Sequence, residues 1–225
     1  MEKIQVKTPW LDYIGEVPAH LEYFQGTMFE AVEKIAQQYP DYVAFDFMGR
    51  ATTYRRLVQE IRKCAKSLRT IGVRPDDKVT IAMPNCPQAI FMFYAVNLIG
   101  AVANMIHPLS AEKEIEFYLN ESRSVAAITL DQFYGKFESI RANTGIVNII
   151  IASVKDELST PVKAGYMLTA GRKIQKIPSD APVIRWHEFM RLGRHSSKDY
   201  PVKRRADDPA VILYSGGSSA LRFTG

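Results

Sequence analysis

The chain has 225 residues, 47% of them hydrophobic and 24% charged, which is typical of an ordinary soluble globular protein. Its 13 glycines and 12 prolines exclude a collagen-like or low-complexity sequence, and its two cysteines, Cys64 and Cys86, exclude a disulfide framework or a zinc site. The net charge of +5 is concentrated in residues 155–205, which hold twelve basic and five acidic residues. We interpret that segment as a solvated surface, with contact to phosphates or an anionic membrane as the alternative.

The first half of the chain alternates predicted helices and strands. Apolar residues at helical spacing indicate the helices, and short runs rich in β-branched residues indicate the strands. The predicted elements are a helix over 27–38, a strand over 43–47 with a hairpin turn at 48–50, a helix that Thr53 caps and Gly72 ends, a strand over 78–83, a helix over 87–99 that Asn85 or Cys86 caps, and a strand over 101–106.

The second half begins with the same alternation and then loses it. We expect a helix that Ser110 caps and that ends at residue 121. Residues 153–180 are expected to form a long irregular connection. The other predicted elements are a strand over 125–129, a helix over 132–142, a strand over 147–152, an amphipathic piece over 183–192, a linker over 193–209 and a strand over 210–214.

This pattern predicts an α/β fold, a predominantly parallel sheet with helices on both faces. One stretch, residues 89–106, approaches the apolar length of a membrane-spanning helix. Asn97, Gly100 and Asn104 interrupt it, so we interpret it as buried core and expect no transmembrane segment. Residues 1–10 show no secretory signal, and together with the low cysteine content this predicts a cytoplasmic protein.

Single residues within these elements invite functional interpretations that we consider weaker than structural ones. Cys64 lies beside an apolar helical stripe and is expected in the core, without a redox role. The methionines and phenylalanines of 89–105 are expected to cover the sheet rather than to line a fatty-acid tunnel. His107, before a proline at a strand end, is expected to be structural. The histidines also lack metal-ligand spacing, so we expect no protein-built metal site.

The segment that carries chemistry is the end of the chain. An apolar strand, 210–214, leads into Ser215, Gly216, Gly217, Ser218 and Ser219. Glycines allow backbone N–H groups to converge on a phosphate, and serine hydroxyls add donors. No lysine follows as in a P-loop, and Leu213 stands where a nucleophile elbow needs glycine. By these residues alone, a phosphate site and a tight surface turn are equally supported.

Five segments in order resemble the AMP-forming acyl-CoA synthetases of the adenylate-forming superfamily. Thr52–Leu57 resembles the family's T-Y-x-x-L helix start, and Asp208–Ser219 resembles its ATP phosphate loop. The other three are 71–79, 83–88 and 98–108, which resemble the G-V-x-x-G-D-x-V turn, the N-x-P-E helix cap and the second core block. Asp76 replaces the glycine that the family has in that turn.

The resemblance implies a function and a set of ligands. Residues 1–205 would be the N-terminal subdomain of the synthetase domain, with 153–205 as its irregular basic connection, and residues 206–225 would be a strand and a truncated phosphate loop. The family activates a carboxylic acid, here expected to be a fatty acid, with ATP and Mg²⁺ and transfers the acyl group to coenzyme A. The phosphate-loop residues would be Tyr214, Ser215, Gly216, Gly217, Ser218 and Ser219.

The resemblance stops after Ser219. Ala220, Phe223 and Thr224 stand where the family has glycine, lysine and glycine. We therefore expect residues 220–225 to be out of frame or foreign to the protein, and the chain to be an inactive N-terminal part of a synthetase. The catalytic residues are expected downstream, so no general base is assigned here.

Two other function classes remain as alternatives. One is a non-catalytic α/β module that binds a nucleotide or another protein. The other is a nucleic-acid binder that uses residues 155–205, but that segment has no nucleic-acid motif or aromatic platform, so no nucleic-acid partner is expected. Peripheral membrane contact remains open.

Overall fold

A computed structural model describes residues 8–18, 20–174, 176–196 and 200–214 of the chain. After a short 3-10 turn at Pro9–Tyr13, helix α1 (Met28–Gln38) begins at Thr27. The Thr27 hydroxyl accepts from the Glu30 amide at 3.2 Å, and the Glu30 carboxylate accepts from the Thr27 amide at 2.7 Å. This capping box satisfies two of the N–H groups that every helix start leaves unpaired, so the sequence fixes where α1 begins.

The next elements form as the sequence predicts. Strands β1 (Val43–Phe47) and β2 (Arg50–Thr53) pair antiparallel, and helix α2 (Tyr54–Thr70) follows. The Thr53 hydroxyl accepts from the Arg56 amide at 3.3 Å, so it is the N-cap. At the other end Gly72 takes a left-handed backbone with φ +97°, which confirms it as the residue that ends the helix.

The central sheet has six parallel strands in the order β7-β6-β5-β3-β4-β8. This confirms the predicted parallel α/β fold. The strands are β3 (Lys78–Ala82), β4 (Val102–Met105), β5 (Ser124–Leu130), β6 (Asn148–Ala152), β7 (Ile184–Arg185) and β8 (Val211–Leu213), and the helices between them are α3 (Pro87–Leu98), α4 (Glu112–Ser122), α5 (Tyr134–Ile140), α6 (Thr160–Leu168) and α7 (Trp186–His195).

Helices cover both faces of the sheet because the connections run in opposite directions. The step from β3 to β4 goes one way, and the step from β4 to β5 goes back past β3. Right-handed crossovers therefore put α3 and α4 on opposite faces. The buried residues agree: α2, α3 and α7 supply one apolar cluster, and α4 and α5 supply the other.

The long apolar stretch is core, as predicted. Phe91 and Met92 of α3 are fully buried in the first cluster. Cys64 of α2 is also fully buried, and burial raises the pKa of its thiol well above the ordinary value. In the part of the chain that the structure describes, no helix combines the length and the apolar character needed to cross a bilayer.

Two local predictions are wrong. Ala111 rather than Ser110 precedes α4, and the Glu114 carboxylate accepts from the Ala111 amide at 3.1 Å. The carboxylate three residues into the helix thus replaces the hydroxyl cap. The segment 153–180 is not wholly irregular, because it contains α6 and two 3-10 turns. Its Ser159 precedes Thr160-Pro161, and proline at the start of a helix was the missed signal.

A buried polar cluster connects the middle of the sheet to the end of α4. The Asn104 side-chain amide donates to the Thr80 hydroxyl at 2.8 Å and to the Ser122 hydroxyl at 3.0 Å. The Ser124 hydroxyl lies 2.7 Å from that of Thr80 and 2.8 Å from that of Ser122. Burial in an apolar core makes each of these bonds expensive to lose, so the cluster fixes how β3, β4 and β5 align.

Substitution of Asn104 tests the cluster. Asn104→Ala leaves the hydroxyls of Thr80 and Ser122 without their amide donor, so we expect the free energy of unfolding to fall by about 2 kcal/mol. For a chain of this size the melting temperature falls by about 4–8 °C. The matched control is Asn120→Ala, an exposed position on α4, with an expected change within about 0.5 kcal/mol. Equal effects of the two changes, measured by thermal unfolding, would contradict the assigned role.

Candidate functional site

All six strands of the sheet are parallel, so their carboxyl ends lie along one edge. Ligands of open parallel sheets bind at that edge, near neighbouring strands whose connections leave in opposite directions. Here those neighbours are β3 and β5, followed by Met83 and Asp131. Tyr214, the first residue of the predicted phosphate loop, follows β8 at the same edge.

The position of β8 is set by contacts far away in sequence. The segment 200–210 runs back along α3 and β4, with the Val202 amide donating to the Leu98 carbonyl at 3.1 Å. The Arg204 guanidinium donates to the Asp76 carboxylate at 2.7 Å and also to the Gly100 carbonyl. These contacts hold the incoming chain against the start of β4, and β8 pairs with β4.

Both the backbone conformation and the packing at this contact require glycine at position 100. Its backbone is left-handed, with φ +72°, and a Cβ there would lie 2.8 Å from the Arg204 Nε and 2.9 Å from Val202. Any side chain would therefore strain the backbone and displace the segment that leads to β8. Glycine is dictated by the packing at this position as well as by the turn.

Asn97 fixes the last residue before β8. Its side-chain amide donates to the Ala210 carbonyl at 2.9 Å, and the same carbonyl accepts from the Ala103 amide at 3.0 Å. One polar side chain from α3 thus sets the register in which Val211 meets Ala103. Asn97 is buried, so this hydrogen bond is protected from water.

Tyr214, at the carboxyl end of β8, is the first residue of the predicted phosphate loop and the one that the structure describes. Its ring lies 4.1 Å from that of Tyr118 on α4, and its hydroxyl donates to the Tyr118 carbonyl at 3.4 Å. The strand side of the loop is therefore anchored on α4. The other predicted residues, Ser215, Gly216, Gly217, Ser218 and Ser219, lie outside the described residues.

Burial raises the pKa of the Tyr214 phenol above its ordinary value, and the nearby charge of Glu121 acts in the same direction. The polar side chains of Ser122 and Asn104 nearby partly oppose the shift in pKa. The phenol therefore stays protonated at neutral pH and remains a hydrogen-bond donor. The Tyr118 carbonyl accepts from both the Tyr214 phenol and the Ser122 hydroxyl, so Tyr214 reaches the buried polar cluster through that carbonyl.

His107 follows β4 at the same edge of the sheet. Its imidazole Nδ1 accepts from the Leu109 amide at 3.2 Å and shapes the turn before α4. This agrees with the structural interpretation of the residue. Among the described residues, no group of three histidine, cysteine or carboxylate side chains is arranged to hold a metal ion.

Sequence reasoning missed the residues that position β8. Asn97 and Arg204 act across about a hundred residues of chain, and no local pattern reveals such partners. The signal for Asp76 was available, since it stands where the resembling sequences have glycine. Its φ is +67°, so the position keeps the left-handed conformation, and aspartate tolerates that conformation better than most residues.

The donor set suits a phosphate ligand. The sequence after Tyr214 offers backbone N–H groups of two glycines and hydroxyls of three serines, with no carboxylate among them. The Tyr214 phenol donates to the Tyr118 carbonyl and therefore holds the start of that segment.

A parallel α/β protein with helices on both faces of its sheet is the class that this fold defines. The AMP-binding enzyme family matches residues 32–221, and the chain belongs to that family. The chain is 28% identical over 96% of its length to the long-chain-fatty-acid–CoA ligase of Bacillus subtilis, and 27% identical over 96% to that of Salmonella typhimurium. It spans 39% of the length of either relative.

Solved structures support the fold. An anthranilate CoA ligase in complex with anthranoyl-AMP superposes with a TM-score of 0.68 at 18% identity, covering 84% of this chain and 32% of that one. A long-chain-fatty-acid–CoA ligase from Archaeoglobus fulgidus gives 0.65 at 17% identity, covering 88% and 36%. The chain therefore shares its fold with these structures.

Replacement of Gly100 tests how β8 is held. Gly100→Ala forces a Cβ against Arg204 and strains a left-handed backbone, so the free energy of unfolding should fall by about 2–3 kcal/mol. Hydrogen exchange of the Ala103 amide, which donates to Ala210, should become faster. The control is Gly145→Ala, where a Cβ meets nothing within 4 Å. Unchanged protection of the Ala103 amide in Gly100→Ala would refute this role of Gly100.

Proposed function

We propose that this chain is the phosphate-loop-bearing N-terminal part of an AMP-forming fatty-acid–CoA ligase. In the proposed reaction a fatty-acid carboxylate attacks the α-phosphorus of ATP, and pyrophosphate leaves with the electrons of the broken P–O bond. The thiol of coenzyme A then attacks the acyl carbonyl and displaces AMP. The observation that carries the proposal is a family match over residues 32–221, which includes strand β8 where it pairs with β4 in the parallel sheet.

The residues of this chain would contribute positioning and charge stabilisation. Ser215, Gly216, Gly217, Ser218 and Ser219 would donate hydrogen bonds to the β- and γ-phosphates, with Tyr214 at the start of the loop. Preorganised donors of this kind stabilise charge that develops on phosphoryl oxygens. Mg²⁺, bound with ATP, would neutralise phosphate charge. No proton transfer is assigned to a residue of this chain.

The acyl substrate is proposed from the relatives. Both bacterial relatives named above are long-chain-fatty-acid–CoA ligases by name, which favours a long-chain acid over an aromatic one. We further propose a cytoplasmic location, where ATP and coenzyme A are both available, and small-molecule rather than nucleic-acid partners. Contact with a membrane surface is compatible with so apolar a substrate.

A chimera tests the proposed activity. Residues 1–219 are joined to the part of the Bacillus subtilis relative that follows its corresponding loop, and ATP–pyrophosphate exchange is measured with acids of increasing length. We expect exchange that depends on a long-chain acid. The double change Gly216→Val and Gly217→Val blocks close approach of the loop backbone to phosphate and should lower exchange at least a hundredfold, by about 2.7 kcal/mol or more.

The control for the chimera is Gly145→Ala, which leaves the loop intact and should leave exchange unchanged. A folded chimera that exchanges only with acetate or with an aromatic acid would contradict the proposed substrate. A folded chimera without any exchange would contradict the proposed function and favour a non-catalytic nucleotide- or protein-binding module.

The 225-residue chain by itself should not catalyse exchange, because no downstream adenylation motif lies within it. The measurement is ATP–pyrophosphate exchange by the purified chain, with the chimera as positive control. Exchange by the chain alone would overturn this expectation. Saturable ATP binding without exchange by the chimera would support the binding-module alternative.

A further inference from the structure

Strand β8 alone does not fix the direction of the chain that follows it. The pairing of β8 with β4 ends at Leu213, opposite Met105, and Tyr214 is the next residue. Leu213 is 72% exposed, so its side chain gives the end of the strand little packing. The contacts that hold Tyr214 therefore come from outside the sheet, from helix α4.

Tyr118 of α4 makes two contacts with Tyr214. The centroids of the two rings lie 4.1 Å apart at an interplanar angle of 34°, and the Tyr214 hydroxyl donates to the Tyr118 carbonyl at 3.4 Å. Paired aromatic rings attract each other beyond the effect of the area that they bury. One residue of α4 thus holds both the ring and the hydroxyl of Tyr214.

The backbone of Tyr118 is itself fixed in the core. Ile115 and Leu119 of the same helix are 0% and 1% exposed, and both belong to the apolar cluster that α4 and α5 supply. The Ser122 hydroxyl donates to the Tyr118 carbonyl at 2.7 Å and belongs to the buried polar cluster. Close packing of this kind leaves a helix little freedom to shift, so Tyr118 is a rigid support for Tyr214.

We propose that Tyr118 is a positioning residue for ATP. Its ring and carbonyl fix the rotation of Tyr214, and Tyr214 sets the direction in which the phosphate loop leaves β8. Donors stabilise a phosphate only when they converge on it, so a rotation at the first residue of the loop misplaces those that follow. The inference rests on the proposed function and adds a residue 96 positions before Tyr214, outside the segments that carry the family resemblance.

The kinetics of ATP–pyrophosphate exchange by the chimera test the proposal. Tyr118→Ala removes the ring that supports Tyr214, so the KM for ATP should rise by about fivefold or more. The KM for the long-chain acid should stay within about twofold, because the loop is proposed to contact the β- and γ-phosphates and not the acid. Unchanged KM for ATP, or equal rises in both KM values, would overturn the proposal.

The same measurement separates positioning from a loss of stability. A variant that is merely less stable contains less active enzyme, which lowers kcat and leaves both KM values as they were. Tyr118→Phe keeps the ring and the backbone carbonyl, so it should keep the KM for ATP within about twofold of the unmodified value. A rise in Tyr118→Phe as large as in Tyr118→Ala would contradict the role of the ring.

A double variant tests whether Tyr118 acts through Tyr214. If it does, Tyr118→Ala combined with Tyr214→Ala should raise the KM for ATP no further than Tyr214→Ala alone, because residues in contact do not contribute independently. Effects that multiply would show that Tyr118 acts by another route and would refute the proposal.

Tyr39→Ala is the matched control. The ring of Tyr39 also pairs with that of another tyrosine, Tyr42, at 5.1 Å and 33°, but this pair lies at the end of α1. Its loss removes a comparable aromatic contact and should change neither KM value. An equal rise in the KM for ATP would show that the effect is not specific to Tyr118 and would overturn the proposal.

NMR of the 225-residue chain provides a test that does not need catalysis. The Tyr214 ring, labelled and assigned with Tyr214→Phe, should show signals displaced by the ring current of Tyr118. The displacement should persist in Tyr118→Phe and vanish in Tyr118→Ala. Undisplaced signals in the unmodified folded chain would show that the rings do not pair, and would overturn the proposal whatever the chimera does. Displaced signals in a folded chimera without exchange would instead contradict the proposed function, and ATP positioning with it, while confirming the contact.

Discussion

The parallel pairing of β8 with β4 is the interaction on which the candidate site depends. Without this pairing Tyr214 would not lie at the carboxyl edge of the sheet, and nothing would direct the glycines and serines that follow it toward that edge. The pairing rests on a small group of residues: Asn97 fixes the carbonyl of Ala210, Arg204 holds the turn at Asp76, and Gly100 leaves room for Arg204. Each is polar or small, and each acts across the chain rather than along it.

The buried polar cluster also supports this edge of the sheet. Asn104 belongs to β4, which pairs with β8, and its amide reaches the hydroxyls of β3 and of the α4 end. The Tyr214 ring packs at a tilt against that of Tyr118 on that helix, and its phenol shares the Tyr118 carbonyl with Ser122. The first residue of the predicted loop is thus attached to the helix that ends at the buried polar cluster. A phosphate loop that must hold its donors in fixed directions gains from such an attachment.

The elements that the sequence predicted well are those whose determinants are local. The apolar stripe of α2, together with Thr53 and Gly72, predicts that helix. Short β-branched runs predict the strands. The sequence pattern did not predict helix α6, because its apolar residues form no one-sided stripe, as expected of a helix without buried residues. At the site, the pattern predicted the strand and Tyr214 but not Asn97 or Arg204. Their partners are set by tertiary packing, which one sequence without its fold cannot display.

The place of β8 in the sheet also affects how the chain is made. Strands β3, β4, β5 and β6 can pair as soon as they leave the ribosome, because their partners are close in sequence. The outer edge of β4 must wait for β8, which is synthesised roughly 100 residues later, on the order of 5–20 s at common rates of translation. During that interval β4 presents an open, apolar edge, the kind of surface on which nascent chains join one another. Until β8 is made, misassembly at this edge of β4 is therefore a hazard of synthesis.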